Sequence, residues 1–192
     1  MDRPLVLAST SPRRRMLLTE AGIDFSVEAP MLAEERLNPD CELAEALEEL
    51  ALAKARSVAE KMPQALVMGA DTIVCKDGMV LGKPADAKEA ARMLRMLSGE
   101  KHEVITAVAL CCDETGAAAT GHAVSGVRFK PLSEEDIQAY IESGEPLDKA
   151  GAYGIQGEGG KFVQALEGDY DNVVGLPMKL VKEMLSQWEA NQ

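Results

Sequence analysis

No apolar run in this 192-residue chain approaches the roughly 20 residues that a membrane span needs. Asp2 and Arg3 lead straight into a short strand-like stretch, so no signal peptide is expected. Histidine is scarce: His102 and His122 have no spacing that suggests a zinc site. The four cysteines (Cys41, Cys75, Cys111 and Cys112) lack CxxC spacing and read as reduced thiols of a cytosolic protein. Cationic residues are the minority, 20 Lys and Arg against 32 Asp and Glu, for a formal charge of −12. That balance argues against nonspecific nucleic-acid binding, which needs a basic face. It leaves room for a small anionic ligand, because screening acts over about 8 Å and a local cluster of cations can outweigh the total. There is no GxSxG elbow, and the glycines near Lys161 do not have GxxxxGK[ST] spacing. Walker-type NTPases and Rossmann dehydrogenases are therefore not expected.

The chain does have enough to build a core. Apolar residues make up 46% and charged residues 27%, in a length that suits one domain with two lobes at most. Leu5 to Ala8 and Phe25 to Glu28 read as strands, and Pro12 to Ala21 as a helix stopped by Gly22. Cys41 to Met62 reads as a long helix. Ala65–Cys75 and Met79–Leu81 read as a hairpin turning at Lys76-Asp77-Gly78. Further expectations are a helix over 86–97, a strand pair over 103–112 and 122–129, and a helix over 133–143 with Ser133 and Asp136 as its capping box. A glycine-rich stretch over 151–160, two short strands and a final helix from about Pro177 complete the chain. The pattern predicts a mixed α/β sheet flanked by helices.

Three stretches carry chemistry. In Leu7-Ala-Ser-Thr-Ser-Pro-Arg-Arg-Arg15, Pro12 suits a first helical turn, and Ser9, Thr10 and Ser11 are natural caps. Arg13, Arg14 and Arg15 then lie at the positive end of the helix dipole, a cost of about 0.3–1 kcal/mol each. An anion held by guanidinium forks and free helix N–H groups would offset it; a solvated basic turn is the plainer alternative. In the long helix, Leu43, Leu47, Leu50 and Val58 form an apolar stripe. Lys54, eleven residues after Leu43, falls within about 20° of it at about 100° per residue. Such a lysine must snorkel, pair, or point into a cleft. Asp71 interrupts the apolar strand Val67 to Val74 and needs a partner if buried; backbone hydrogen bonds at a strand end, a metal or a reacting water would each serve. Lys83, in Gly82-Lys83-Pro84, is either a cleft residue or an ordinary turn lysine. Glu34 is by pattern one acid among 32.

Taken together, Ser9-Thr10-Ser11-Pro12-Arg13-Arg14, Gly69-Ala70-Asp71-Thr72, Gly82-Lys83-Pro84, the segment from Asp148 to Gly157 (DKAGAYGIQG) and Val174-Gly175-Leu176-Pro177 resemble the Maf family of nucleotide pyrophosphatases. The motifs occur in family order over nearly the whole chain. The resemblance implies one Maf-like domain over residues 1–192. Its fold would be an elongated mixed β-sheet flanked by helices, with two lobes around a deep cleft, similar to the inosine triphosphatases. The implied enzyme is cytoplasmic and cleaves a nucleoside triphosphate between its α and β phosphates. Asp71 falls on the family's proton acceptor. Ser9, Arg13, Arg14, Glu34, Lys54, Lys83 and Gln156 fall on its phosphate and metal contacts, with Mg²⁺ or Mn²⁺ held by Glu34 and Asp71. Arg13, Thr72 and Gln156 match the branch acting on uracil and thymine nucleotides, rather than the 7-methylguanine branch with Trp, Gln and Glu. A Gln amide both donates and accepts, as a carbonyl beside an N–H requires; a Glu carboxylate cannot donate.

The expected partner is the triphosphate, here dTTP, UTP or a modified pyrimidine nucleotide. Nucleic acid and membrane are not expected, and a homodimer is left open. The alternatives are a nucleotide-binding regulator of cell division with incidental hydrolysis, and a phosphatase releasing single phosphates.

Overall fold

The computed structural model describes residues 3–32, 37 and 42–191. Glu34 and Cys41 lie outside the described residues. The strands are β1 (Leu5–Ala8), β2 (Ser26–Glu28), β3 (Leu66–Lys76), β4 (Met79–Leu81), β5 (Lys101–Cys112), β6 (Ala117–Phe129) and β7 (Val163–Glu167). The helices are α1 (Pro12–Glu20), α2 (Leu43–Ala59), α3 (Ala87–Leu97), α4 (Glu134–Glu142), α5 (Tyr170–Val174) and α6 (Met178–Ala190). The strands form one mixed seven-stranded sheet in the order β2-β1-β3-β5-β6-β7, with β4 paired to β3. β1 runs parallel to both β2 and β3, with Ala8 opposite Gly69, and β4 and β7 pair antiparallel. Helices flank the sheet, as the alternation in the sequence predicts.

The chain divides into two compact units: one of Met1–Asp71, Thr106–Ala123 and Gly175–Gln192, the other of Thr72–Ile105 and Val124–Val174. In the first unit all four residues of β1 are buried, as a parallel strand covered on both faces requires. Leu47, Leu50, Ala51, Ala55 and Val58 of α2 are buried, as are Val181, Leu185 and Trp188 of α6. Deleting a buried leucine side chain such as Leu47 costs about 2–5 kcal/mol. α1 starts and stops as its residues dictate: Pro12 opens it, the Ser11 hydroxyl accepts from the Arg14 N–H, and Gly22 ends it with φ +67°.

The second unit has its own core, with Leu94 and Leu97 of α3, Ile137 and Tyr140 of α4, Phe129, Tyr153 and Phe162. The aromatic rings meet edge to face, Tyr140 against Phe162 at 5.0 Å and Phe129 against Tyr153 at 4.7 Å. His102 is buried among them, with its Nε2 at 2.8 Å from the Tyr153 hydroxyl. The Nδ1 atom has no hydrogen-bond partner among the described residues. Burial, and next the nearby Lys76 charge, push its pKa down to about 4, so the ring is neutral. The capping box of Ser133 and Asp136 forms as predicted.

The structure corrects the end of the second unit. Of the two short strands expected after the glycine-rich stretch, only β7 forms, and the second position is the short helix α5. The local reason is polar. The Asp171 N–H donates to the Asp169 carboxylate, which starts a helical turn. Buried Asn172 then donates to the Val104 carbonyl and the Ser125 hydroxyl, which fixes that turn against the strands. β6 also begins at Ala117, five residues earlier than His122. The tight turn closed by Gly116, with φ +67°, lets the ladder start at once.

Candidate active site

The first unit places the helix tip and the strand aspartate together. Ser9 follows the last residue of β1, and Asp71 lies two residues past Gly69, the register partner of Ala8. Both therefore stand just past the carboxyl end of β1, where its parallel pairing with β3 stops, beside the N-terminus of α1. In α/β sheets ligands bind at that edge, and helix N–H groups favour anions there.

Arg14 ties the arrangement. Its Nε donates to the Gly175 carbonyl at 2.8 Å, and its Nη1 to the Ala70 carbonyl at 2.9 Å and the Ser9 hydroxyl at 3.3 Å. Ser9 is buried and also accepts from the Ser11 N–H at 3.2 Å. One planar guanidinium thus joins three of the motifs that the sequence separates: STSPRR, GADT and VGLP. The resemblance implies a phosphate contact for Arg14; its guanidinium also donates to oxygens of the protein itself. Arg13 is half-buried in the first turn of the same helix.

Lys54 and Asp71 form an ion pair, with Nζ to Oδ1 at 3.2 Å. The lysine side chain is 8% exposed and the aspartate 19%. Pairing is one of the outcomes the sequence leaves open for Lys54; for Asp71 the sequence offers backbone groups, a metal or a reacting water, and the structure adds the Lys54 ammonium. Gly69 explains how the two meet. A Cβ on Gly69 would stand 2.1 Å from the Ala51 carbonyl oxygen and 2.9 Å from the Ala55 nitrogen. Glycine on β3, with alanines on α2, lets the helix backbone approach the strand so closely that Lys54 reaches Asp71. The pair is mostly dry, and losing either partner from such a pair typically costs about 3–5 kcal/mol.

The second unit holds the remaining candidates. Thr72 is half-buried on β3, directly after Asp71, and Lys83 is exposed after β4. The Gly82 carbonyl accepts from the Gly151 N–H at 3.0 Å, which fastens the Gly-Lys-Pro turn to the start of the glycine-rich segment. Gly151 has φ +68°, and a Cβ there would stand 2.8 Å from the Val74 side chain. Its neighbour Ala152 is buried with φ +61°, a conformation that costs a non-glycine residue about 1–3 kcal/mol and clusters at functional loops. Gln156 is exposed between two short 3-10 turns, Ala150–Ala152 and Glu158–Phe162. The sequence reading passed over Glu145, whose carboxylate accepts the Glu158 N–H at 2.9 Å and so holds that loop. A lone glutamate before a proline gives no periodicity or spacing signal from which to find it.

Among the described residues no group of three or more His, Cys, Asp or Glu side chains gathers to hold a metal ion. None of the described helices is long and apolar enough to cross a membrane. Among the described residues Cys75, Cys111 and Cys112 are buried and form no disulfide, and burial pushes the Cys111 thiol up to about 11, where it is inert.

Comparison with known proteins identifies the family. A dTTP/UTP pyrophosphatase of Symbiobacterium thermophilum is 52% identical over 184 residues, covering 96% of this chain and 93% of the relative. One of Moorella thermoacetica is 50% identical over 182 residues, with 95% and 93% covered. One of Thermococcus gammatolerans is 51% identical over 177 residues, with 92% of both covered. The sequence profile of the family described as Maf-like protein matches residues 4–188, and that span contains every motif that Arg14 and the glycine-rich loop tie together, so the chain belongs to the Maf-like proteins.

Proposed function

We propose that this protein is a nucleoside triphosphate pyrophosphatase acting on dTTP and UTP. Water adds at a phosphorus of the α–β bridge, the bond to the bridging oxygen breaks, and the monophosphate and pyrophosphate leave. The observation that carries the reading is the Lys54–Asp71 pair on β3, just past the end of the parallel β1–β3 pairing and beside a helix N-terminus. Relatives about half identical that bear the name dTTP/UTP pyrophosphatase support it.

In this reading Asp71 accepts the proton of the attacking water, and the Lys54 ammonium holds its carboxylate in place while offsetting phosphoryl charge. Arg13 and Lys83 bind phosphate oxygens, and Ser9 with the first N–H groups of α1 fixes the anion's position. Arg14 contributes by holding Ser9 and the backbone before Asp71. Thr72 and Gln156 select the base. A pyrimidine carbonyl beside an N–H satisfies both ends of the Gln156 amide, and a wrong base leaves one end unpaired.

A divalent cation, Mg²⁺ or Mn²⁺, belongs to the same reading. Asp71 offers a hard carboxylate oxygen that keeps some solvent access. That suits an ion bound through one or two carboxylates, substrate phosphates and its own waters. Asp71, with Glu34 as the second carboxylate, would hold it. When bound, such an ion lowers the pKa of water and neutralises phosphate charge. The reading places the enzyme in the cytoplasm, with the nucleotide pool.

The test is product identity. Purified protein with Mg²⁺ or Mn²⁺ is offered dTTP, UTP, dCTP, dGTP and 7-methyl-GTP, and released pyrophosphate and orthophosphate are measured separately. The expected result is pyrophosphate with dTTP and UTP. Orthophosphate as the first product, or a preference for the methylguanine nucleotide, would refute the proposal.

A further inference from the structure

Four glycines of the loop that carries Gln156, Gly154, Gly157, Gly159 and Gly160, have no positive φ, so conformational freedom does not account for them. Space does. A Cβ on Gly157 would stand 2.3 Å from the Glu145 carboxylate, and one on Gly159 would stand 2.6 Å from the Tyr140 hydroxyl. A Cβ on Gly154 would run into the Lys149 stem at 2.7 Å, and one on Gly160 into the Ile155 carbonyl at 2.3 Å. The loop is laid tightly over a polar anchor.

The centre of that anchor is Glu145. Its Oε1 accepts from the Tyr140 hydroxyl at 2.9 Å and the Gly159 N–H at 3.4 Å, and its Oε2 from the Glu158 N–H at 2.9 Å. The Tyr140 hydroxyl also accepts from the Gly154 N–H at 3.2 Å. Lys149 donates to the Glu145 carbonyl at 2.7 Å, which braces the same residue from behind. Tyr140 is fully buried against Phe162, so the anchor stands on the core of its unit. Burial pushes the Glu145 carboxyl up, but the Glu158 amide, the Tyr140 hydroxyl, the Gly159 amide and the Lys149 charge outweigh it and hold the group ionised. Backbone N–H groups on both sides of Gln156 are thereby fixed, directly at 158 and 159 and through the tyrosine at 154.

We infer that Glu145 is a positioning residue for base selection: its carboxylate clamps the backbone around Gln156 so that the Gln156 amide is presented in a single orientation. The inference rests on the reading of Gln156 as the base-selecting residue. A carboxylate is required because the three groups it receives are all donors. A glutamine at 145 would turn its NH₂ toward one of them, donor against donor.

The experiment compares wild type, Glu145→Gln, Tyr140→Phe and Gln156→Glu. Steady-state kinetics with dTTP and dGTP in Mg²⁺ are read beside amide hydrogen exchange over residues 154–160. Glu145→Gln is expected to lower the dTTP-over-dGTP ratio of kcat/KM about tenfold, the scale of one lost hydrogen bond to a charged group. The loss should come mainly as a higher KM for dTTP, with faster exchange at 158 and 159. A general loosening of the fold would instead depress both substrates alike. Tyr140→Phe keeps the ring volume and removes one donor to Glu145, so it should move the ratio the same way by about threefold. It carries the test if the glutamine variant does not fold. If Gln156→Glu erodes the dTTP preference while Glu145→Gln or Tyr140→Phe leaves both the ratio and the exchange unchanged, the positioning role is overturned. If Gln156→Glu itself leaves the substrate profile unchanged, the base-reading assignment has failed. The selectivity role of Glu145 then falls with it, and the exchange data alone report whether the clamp exists.

Discussion

Gly69→Ala adds one methyl group where the structure has no room for it. The new Cβ would lie 2.1 Å from the Ala51 carbonyl oxygen, and ordinary contact begins at 3.4 Å, so α2 must retreat by about 1.3 Å. The obstacle is backbone and cannot rotate away. Overpacking of this kind typically costs about 1–3 kcal/mol, occasionally more. The retreat also carries Lys54 away from Asp71, from 3.2 Å to beyond hydrogen-bond reach. A displacement of about 1 Å at a catalytic constellation can cost about 10²-fold in rate. The variant is therefore expected to lose stability in urea denaturation and to lose pyrophosphate release from dTTP out of proportion to any unfolded fraction. Gly82→Ala serves as the stability control, because a Cβ there meets nothing within 4 Å. A Gly69→Ala protein with the wild-type denaturation midpoint and wild-type turnover would refute the claim that close packing of α2 on β3 sets the Lys54–Asp71 pair.

Asp71→Asn should cut turnover by at least about 10²-fold, the usual scale of a lost general base, while dTTP binding measured by calorimetry persists; normal rates would remove Asp71 from the chemistry. Arg14→Lys replaces a fork that meets the Gly175 and Ala70 carbonyls and the Ser9 hydroxyl with a single ammonium that cannot span them. A loss of about 2 kcal/mol in stability, with lower turnover, is expected, and a variant unchanged in both would show that the tie is dispensable. His102 is neutral in folded and unfolded chains above pH 6.5; between 6.5 and about 4 the unfolded chain takes up a proton that the buried ring refuses. Stability should therefore fall on acidification through that window, by up to about 3 kcal/mol from this group. His102→Gln should flatten that part of the profile in denaturation midpoints taken at pH 7.5 and pH 5, and a parallel fall in both proteins would contradict the assignment.

Periodicity made the fold legible where one element buries one face. β1, α1 and α3 stand where alternation and caps put them, and the Asp77-Gly78 turn, with φ of +50° and +79°, is the expected hairpin signal. Lys54 could be picked out because helical spacing places it on a buried stripe, and Asp71 because a charge in an apolar strand needs a partner. That each is the other's partner depends on the approach of α2 to β3, which a glycine permits but does not announce. Arg14 shows the same limit: its acceptors lie up to 161 residues away and two are backbone carbonyls, which have no sequence signature. A second short strand is expected where α5 forms because the Asn172 bonds that fix the helix come from β5 and β6, which local pattern does not contain. The family resemblance supplied the expected roles of Thr72 and Gln156, on which pattern alone is silent, and the phosphate role of Lys83, for which pattern offers a cleft position or an ordinary turn.

The bond from Arg14 to Gly175 also sets an order of events during synthesis. A polypeptide still lacking its last twenty or so residues can already possess β1, α1 and β3, yet the guanidinium that steadies the backbone ahead of Asp71 has one of its moorings missing. The full tie around the backbone ahead of Asp71 is therefore completed late, once Gly175 has been added and can accept from Arg14.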